Sequence, residues 1–198
     1  VYILLASTTN FLSVEPGYAI GEASRWCERI SGGYFREPAN ALSNLGFMFT
    51  GLLMFWILAN EKKIKGSRFH GPTITALTYA TAAVWLGPGS LLMHGTHTEW
   101  GEWADNLSMI MYILIPWLLN IKEMGRWSLK IFFSSYFVII FIYASSRWFF
   151  GSELGINLDL FGLSIGLWVI SETLFRFWSP IFRWISGLIG FFVAAVFG

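Results

Sequence analysis

The chain has 198 residues, of which 55% are hydrophobic, 19% are aromatic and only 13% are charged, and its mean hydropathy is +0.57. Soluble domains carry about 25% charged residues, so this composition excludes an ordinary water-soluble domain and predicts an integral membrane protein. The net charge of +1 excludes a nucleic-acid-binding protein, and the single Cys27 excludes an internal disulfide.

Apolar runs divide the chain into an extracytoplasmic N-terminal segment, 1–38, and a transmembrane helix bundle, 39–198. A spanning helix needs about 20 mostly apolar residues, and five stretches meet this need: 39–59, 72–94, 105–121, 128–146 and 156–175. A sixth helix begins near Pro180, but its apolar run is too short to cross a core of about 30 Å unless it continues beyond Gly198. The predicted fold class is all-α, a polytopic bundle with six helices in this chain.

Basic residues alternate between successive loops and predict the orientation of the bundle. The 60–70, 120–130 and 175–183 loops carry most of the loop Lys and Arg, whereas the 95–104 loop carries none. The positive-inside rule then places the three basic loops in the cytoplasm. The sequence therefore predicts a multi-pass protein whose N-terminus lies outside the cytoplasm.

A polar stretch, GPGSLLMHGTHTEWGEWADNLSM, occupies residues 87–109 of this mostly hydrophobic chain. Ser90 and His94 are four residues apart and share a helix face, while Asp105 opens the next helix. A short loop joins these antiparallel helices, so the three side chains should converge within a few ångströms near the outer boundary of the membrane. A separation of more than about 10 Å between His94 and Asp105 would contradict this. Ionisable groups in membranes are usually functional, and imidazole is a common metal ligand.

A purely structural interpretation of the same stretch stays open. Ser90, His94 and Asp105 would also serve as a hydrogen-bond network between two helices. The residues between the helices, which include His97 and Glu99, are interpreted as a wet surface loop.

A second polar stretch, RWCERISGGYFREPANALSNLGF, leads into the first spanning helix at 25–47. Pro38 is suited to the first helical position, and Asn40 and Asn44 share one face just after it. Together with Glu28, these amides are candidates for the lining of a pocket, although an ordinary polar helix start would have the same pattern.

The two stretches together resemble one known family. The pattern W-C-E … E-P-A-N-x-x-S-N-L-x-F, followed by G-x-G-S-x-x-x-H-x-T … D-x-x-x-M, is similar to the alkaline ceramidase type of seven-helix membrane hydrolase. The wider superfamily also contains GPI-anchor lipid-remodelling hydrolases and the progestin and adiponectin receptors. The resemblance covers 25–47 and 87–109, and the other helices agree only in number and hydrophobicity.

The resemblance implies a zinc-dependent hydrolase of a lipid amide or ester. His94 would be the first zinc ligand, Asp105 the carboxylate near the zinc-bound water and Ser90 a group that helps to stabilise the oxyanion. A catalytic zinc usually has three protein ligands and keeps a fourth position for water. The metal lowers the pKa of that water toward about 7 and polarises the scissile carbonyl.

The sequence departs from the family pattern at both metal sites. The family's other two zinc ligands form an H-x-x-x-H pair on a seventh helix, but this chain has no histidine after His97. The zinc ligand set is thus incomplete, and residues 1–198 alone are not expected to bind zinc tightly. The family also binds calcium near its N-terminus, where Glu28 and Glu37 match two ligand positions. Arg25 and Ile30 fall where oxygen ligands are needed, so calcium is not expected.

Two functions are therefore favoured over a third, which is a receptor-like or transport role. The first is a metal-dependent lipid hydrolase whose seventh helix lies beyond Gly198, with a membrane lipid as its substrate. The second is a non-catalytic, ceramidase-like accessory or structural subunit whose partners are other subunits of a larger membrane protein complex.

Overall fold

The computed structural model describes residues 1–8, 12, 19–62, 69–151 and 160–177. These residues are helical apart from turns and one isolated antiparallel bridge between Ala23 and Arg29, which confirms the all-α fold class. The helices of the described part are α1 Tyr2–Thr8, α2 Pro38–Ser43, α3 Leu45–Asn60, α4 Ile74–Thr96, α5 Glu99–Gly125, α6 Leu129–Phe150 and α7 Leu160–Arg176.

Four stretches of the described residues are helical, long and apolar enough to cross a membrane: Pro38–Asn60, Ile74–Thr96, Glu99–Gly125 and Leu129–Phe150. They agree with the first four predicted helices, and they indicate a membrane protein. Helix α7 overlaps the fifth predicted helix. The sixth predicted helix, near Pro180, lies outside the described residues.

The predicted loop at 95–104 is wrong. Only His97 and Thr98 separate α4 from α5, and α5 begins six residues before the predicted start at Asp105. His97 ends α4 with a left-handed backbone, at φ 50°. The Thr98 hydroxyl accepts a hydrogen bond from the Gly101 amide at 3.1 Å, in the manner of an N-cap. This tight turn holds the adjoining ends of α4 and α5 together.

Residues 1–108 form one compact unit in which glycines allow close helix packing. A Cβ atom at Gly51 of α3 would lie 2.5 Å from the Val84 amide nitrogen of α4. A Cβ atom at Gly89 of α4 would lie 2.6 Å from the Ser108 Cβ of α5. Helices in membranes pack through such small residues because lipid supplies no hydrophobic force between them.

The described residues from Met109 onward form a second compact unit, which contains its own polar contacts. The Tyr136 hydroxyl donates a hydrogen bond to the Met111 carbonyl at 2.9 Å and so joins α6 to α5. The Asn120 amide donates to the Ser171 hydroxyl at 3.2 Å and to Glu172 Oε2 at 2.9 Å. These bonds join α7 to α5 within this unit.

The orientation of the bundle is tested with single cysteines. After the exposed native Cys27 is replaced by serine, a cysteine at Glu99 should react with an impermeant thiol reagent added outside intact cells. A cysteine at Lys62 should not react, because the positive-inside rule places that end of α3 in the cytoplasm. Both native side chains are exposed, so access through the protein does not bias the comparison.

Permeabilised cells supply the control for this labelling, because both cysteines should then react. The opposite pattern in intact cells would contradict the predicted orientation. It would also place the turn between α4 and α5 on the cytoplasmic side.

Candidate functional site

The segment before α2 is hydrogen-bonded to the last turn of α4. The Arg36 amide donates to the Gly95 carbonyl at 3.0 Å, and the Glu37 amide donates to the His94 carbonyl at 2.9 Å. The last carbonyls of a helix have no partner within the helix, so these bonds satisfy two groups that would otherwise need another partner. They also fix Glu37 beside the side chains at the end of α4.

Glu37 is the centre of a buried polar cluster. Its side chain has 0% exposure, and its Oε2 lies 2.5 Å from His94 Nδ1. The Asn40 amide donates to the same oxygen at 3.1 Å, while His97 Nε2 lies 3.3 Å from Oε1. One carboxylate therefore contacts side chains from α2, from α4 and from the turn after α4.

The charge of Glu37 determines which nitrogen of His94 carries a proton. Burial alone would raise the pKa of Glu37, but hydrogen bonds with Ser24, His94 and Asn40 outweigh it and hold the pKa below its usual value. Glu37 is therefore ionised at neutral pH, and an ionised carboxylate only accepts hydrogen bonds. His94 must donate from Nδ1, so in the neutral ring the lone pair resides on Nε2.

Ser90, His94 and Asp105 come together at the adjoining ends of α4 and α5. The Ser90 hydroxyl is hydrogen-bonded to the Asp105 carboxylate, and His94 is close enough to interact with that carboxylate electrostatically. Asp105 Oδ1 is buried, and no hydrogen-bond partner for it exists in the described part of the chain. The arrangement thus offers an imidazole nitrogen, a hydroxyl and one uncommitted carboxylate oxygen.

An aromatic side chain from the N-terminal segment covers this cluster. The Trp26 ring meets the His94 ring edge-on at a centroid distance of 5.0 Å and the His97 ring at 5.8 Å. The guanidinium carbon of Arg25 lies 4.1 Å from the Trp26 ring centroid. The indole therefore contacts the partly buried His94, the buried His97 and the exposed Arg25.

The three predicted pocket residues have different positions. Both oxygens of Glu28 accept backbone amides at 2.7 Å, from Ala39 and Asn40, so this carboxylate caps the start of α2. The side chain of Asn40 reaches Glu37, as described above. The side chain of Asn44 donates instead to the Asn40 carbonyl of its own helix, at 2.9 Å.

The described residues offer ligand atoms of the types that zinc binds, but too few of them to form a zinc site. His94 offers Nε2 and Asp105 offers Oδ1, which is one imidazole and one carboxylate of the types that zinc binds. Among the residues that the structure describes, no three His, Cys, Asp or Glu side chains form a group that could hold a metal. Each oxygen of Glu28, which matches a calcium position of the family, accepts a backbone amide here.

Sequence reasoning missed two members of the cluster. The predicted position of His97 in a solvated loop is wrong, because His97 is 2% exposed. Its spacing of three residues from His94 was a usable signal, because residues three apart share a helix face. The sequence predicts only that Glu37 flanks the start of the first spanning helix and matches a calcium position of the family. Nothing local in the sequence pairs it with His94, which is 57 residues away.

Comparison with known proteins identifies a family for this chain but no individual relative. No curated protein and no solved structure matches the chain. The sequence model of the ceramidase family matches residues 23–188, a range that includes both polar stretches and most of the helices. The chain therefore belongs to the ceramidase family.

Proposed function

We propose that this protein is an integral membrane hydrolase that cleaves an amide or ester bond of a lipid, with a zinc ion held in part by His94. One observation carries the proposal: the buried, ionised Glu37 holds His94 Nδ1 at 2.5 Å and so leaves Nε2 free to bind. Histidines that bind metals usually donate their other N–H to a carboxylate or a carbonyl in this way. The family match supports the lipid substrate.

Zinc, when bound, would lower the pKa of water and polarise the scissile carbonyl. His94 would hold it together with ligands from outside the described residues or from another chain. Glu37 keeps the His94 ring in one orientation and one tautomer. Trp26 packs against this ring and excludes water from that side of it.

Asp105 and Ser90 are suited to linked proton steps. Asp105 Oδ1 has no hydrogen-bond partner among the described residues, so it is available to accept a proton from the attacking water. The Ser90 hydroxyl is bonded to the same carboxylate. Once Asp105 carries a proton, it no longer needs this donor, and Ser90 is released to donate to the oxyanion that forms on the substrate.

The proposal is tested by measuring zinc and hydrolysis on the same preparations of full-length protein. Wild-type protein should contain about one zinc per chain and should cleave a fluorescent N-acyl amino-alcohol lipid. His94→Ala should lose both the zinc and the hydrolysis. Asp105→Asn should keep the zinc and lose roughly 10²–10⁴-fold in rate, because a general base contributes about that much.

His70→Ala is the matched control, because His70 is an exposed histidine outside this cluster. It should retain both zinc and activity. If neither wild-type protein nor His94→Ala contained zinc or cleaved lipid, while both were folded, the hydrolase proposal would be wrong. That result would favour an accessory subunit in which the same cluster only joins helices.

A further inference from the structure

Arg25 is an exposed cation beside the candidate site. No salt bridge joins it to any acidic side chain of the described residues. Its contact is with the ring of Trp26, at 4.1 Å, and the same ring touches His94. The guanidinium therefore lies one aromatic side chain away from the imidazole of the candidate site.

The described carboxylates near Arg25 in the chain are committed to other donors. Glu22 accepts the Ala19 amide at 2.8 Å, and Glu28 accepts two amides at the start of α2. Glu37 is buried against the histidines. The described acidic groups of this segment thus have other partners, and the guanidinium of Arg25 is exposed to solvent.

Stacking prepares the Arg25 side chain to bind an anion. Contact with an indole uses the flat face of a guanidinium, while its N–H donors point outward from the edge of the plane. Those donors match the oxygens of a phosphate or a sulfate, which they bind in pairs. Because the ring of Trp26 already restrains the guanidinium, less side-chain entropy is lost on binding.

Arg25 lies close to the ends of two candidate spanning helices. Trp26 contacts His94, which lies in the last turn of α4, close to the Pro38 that begins the first spanning stretch. The ends of spanning helices lie at the boundary between the hydrocarbon core and the headgroups. A lipid whose scissile bond is near His94 would have its headgroup at the level of Arg25.

We propose that Arg25 binds an oxyanion on the headgroup of the lipid, so that the preferred ligands are phosphate or sulfate esters rather than neutral amino alcohols. This inference rests on the proposed function, because it takes the cluster around His94 as a lipid site. It differs from that function in concerning only recognition, and it can be tested without turnover.

The test compares the binding of two uncleavable ether lipids by purified full-length protein in neutral detergent. The lipids have the same chains, and one has a hydroxyl headgroup while the other has its phosphate ester. By isothermal titration calorimetry, wild-type protein should bind the phosphate ester about tenfold more tightly, as expected for one added pair of charge-assisted hydrogen bonds. Arg25→Gln should lose this preference and keep its affinity for the neutral lipid.

Two further variants make the result specific. Arg29→Gln is the matched control, because Arg29 is an exposed arginine of the same segment that donates to the Gly21 carbonyl. It should retain the preference. Arg25→Lys keeps the charge without the paired donors, so it should retain only part of the preference, and it replaces Arg25→Gln if that variant does not fold.

Each contrary result has a distinct meaning. Equal affinity of wild-type protein for the two lipids, or a preference that persists in both Arg25 variants, overturns the inference and leaves the hydrolase proposal intact. Inorganic phosphate that binds as tightly as the phosphate lipid overturns it too, because the site would then recognise a free ion. Failure of wild-type protein to bind either lipid counts against the inference and the proposed function together.

Discussion

Replacing Glu37 by alanine should lower the free energy of unfolding by about 3 kcal/mol or more. The carboxylate has 0% exposure and contacts both His94 and His97, and it also accepts a hydrogen bond from Asn40. Removing one partner from a buried polar pair leaves the others desolvated without compensation, at about 1–3 kcal/mol for each group. The loss is measured by unfolding the protein in neutral detergent with increasing mole fractions of sodium dodecyl sulfate.

Glu22→Ala is the matched control for this loss. Glu22 is an exposed glutamate of the same segment, and its carboxylate accepts the Ala19 amide. Its removal should change the free energy of unfolding by no more than about 0.5 kcal/mol. Equal effects of the two substitutions would show that the cluster around Glu37 contributes no more than a surface contact does.

Gly89→Ala should destabilise the protein by about 1–3 kcal/mol, which is typical of overpacking. The added Cβ atom would lie 2.6 Å from Ser108 Cβ and 2.9 Å from the Ala104 carbonyl oxygen, so α4 and α5 must separate. The next residue is Ser90, which is hydrogen-bonded to Asp105 across these helices. Because a misplacement of about 1 Å in a catalytic group can lower a rate about 100-fold, hydrolysis should fall even in the folded fraction.

Gly46→Ala is the control that separates packing from helix propensity. Gly46 lies in α3, and a Cβ atom there would have nothing within 4 Å. The same substitution should therefore be neutral or stabilising by up to about 1 kcal/mol, because alanine is the better helix former. A loss at Gly46 as large as that at Gly89 would mean that close contact between α4 and α5 is not the cause.

The spanning helices were predictable because their signal is local. Long apolar runs set the positions of four helices, and the spacing of Ser90 and His94 placed both on one face of α4. These features depend on residues close together in sequence, where helix periodicity applies. The sequence also predicts that Asp105 lies near this pair, because the stretch between His94 and Asp105 is too short to separate them.

The remainder of the site depends on contacts that have no local signal. The pairing of Glu37 with His94 joins residues 57 apart, and it follows from backbone bonds between the N-terminal segment and the end of α4. The burial of His97 depends on a left-handed residue at the end of α4. The polar composition of 95–104 predicts a loop. In the structure, Thr98 caps the start of α5 and Gly101 allows close packing there, so α4 and α5 are separated by only two residues.

The hydrogen bonds from Arg36 and Glu37 to α4 also determine when, during synthesis of the chain, the contacts of the N-terminal segment can form. Residues 19–37 leave the ribosome before α4 has been synthesised, because a chain emerges from its N-terminus. Glu37 then has neither the carbonyl nor the imidazole of His94 to bond with. The bonds that fix Glu37 can therefore form only after the end of α4 has been synthesised, so the cluster is completed later than the segment that carries its carboxylate.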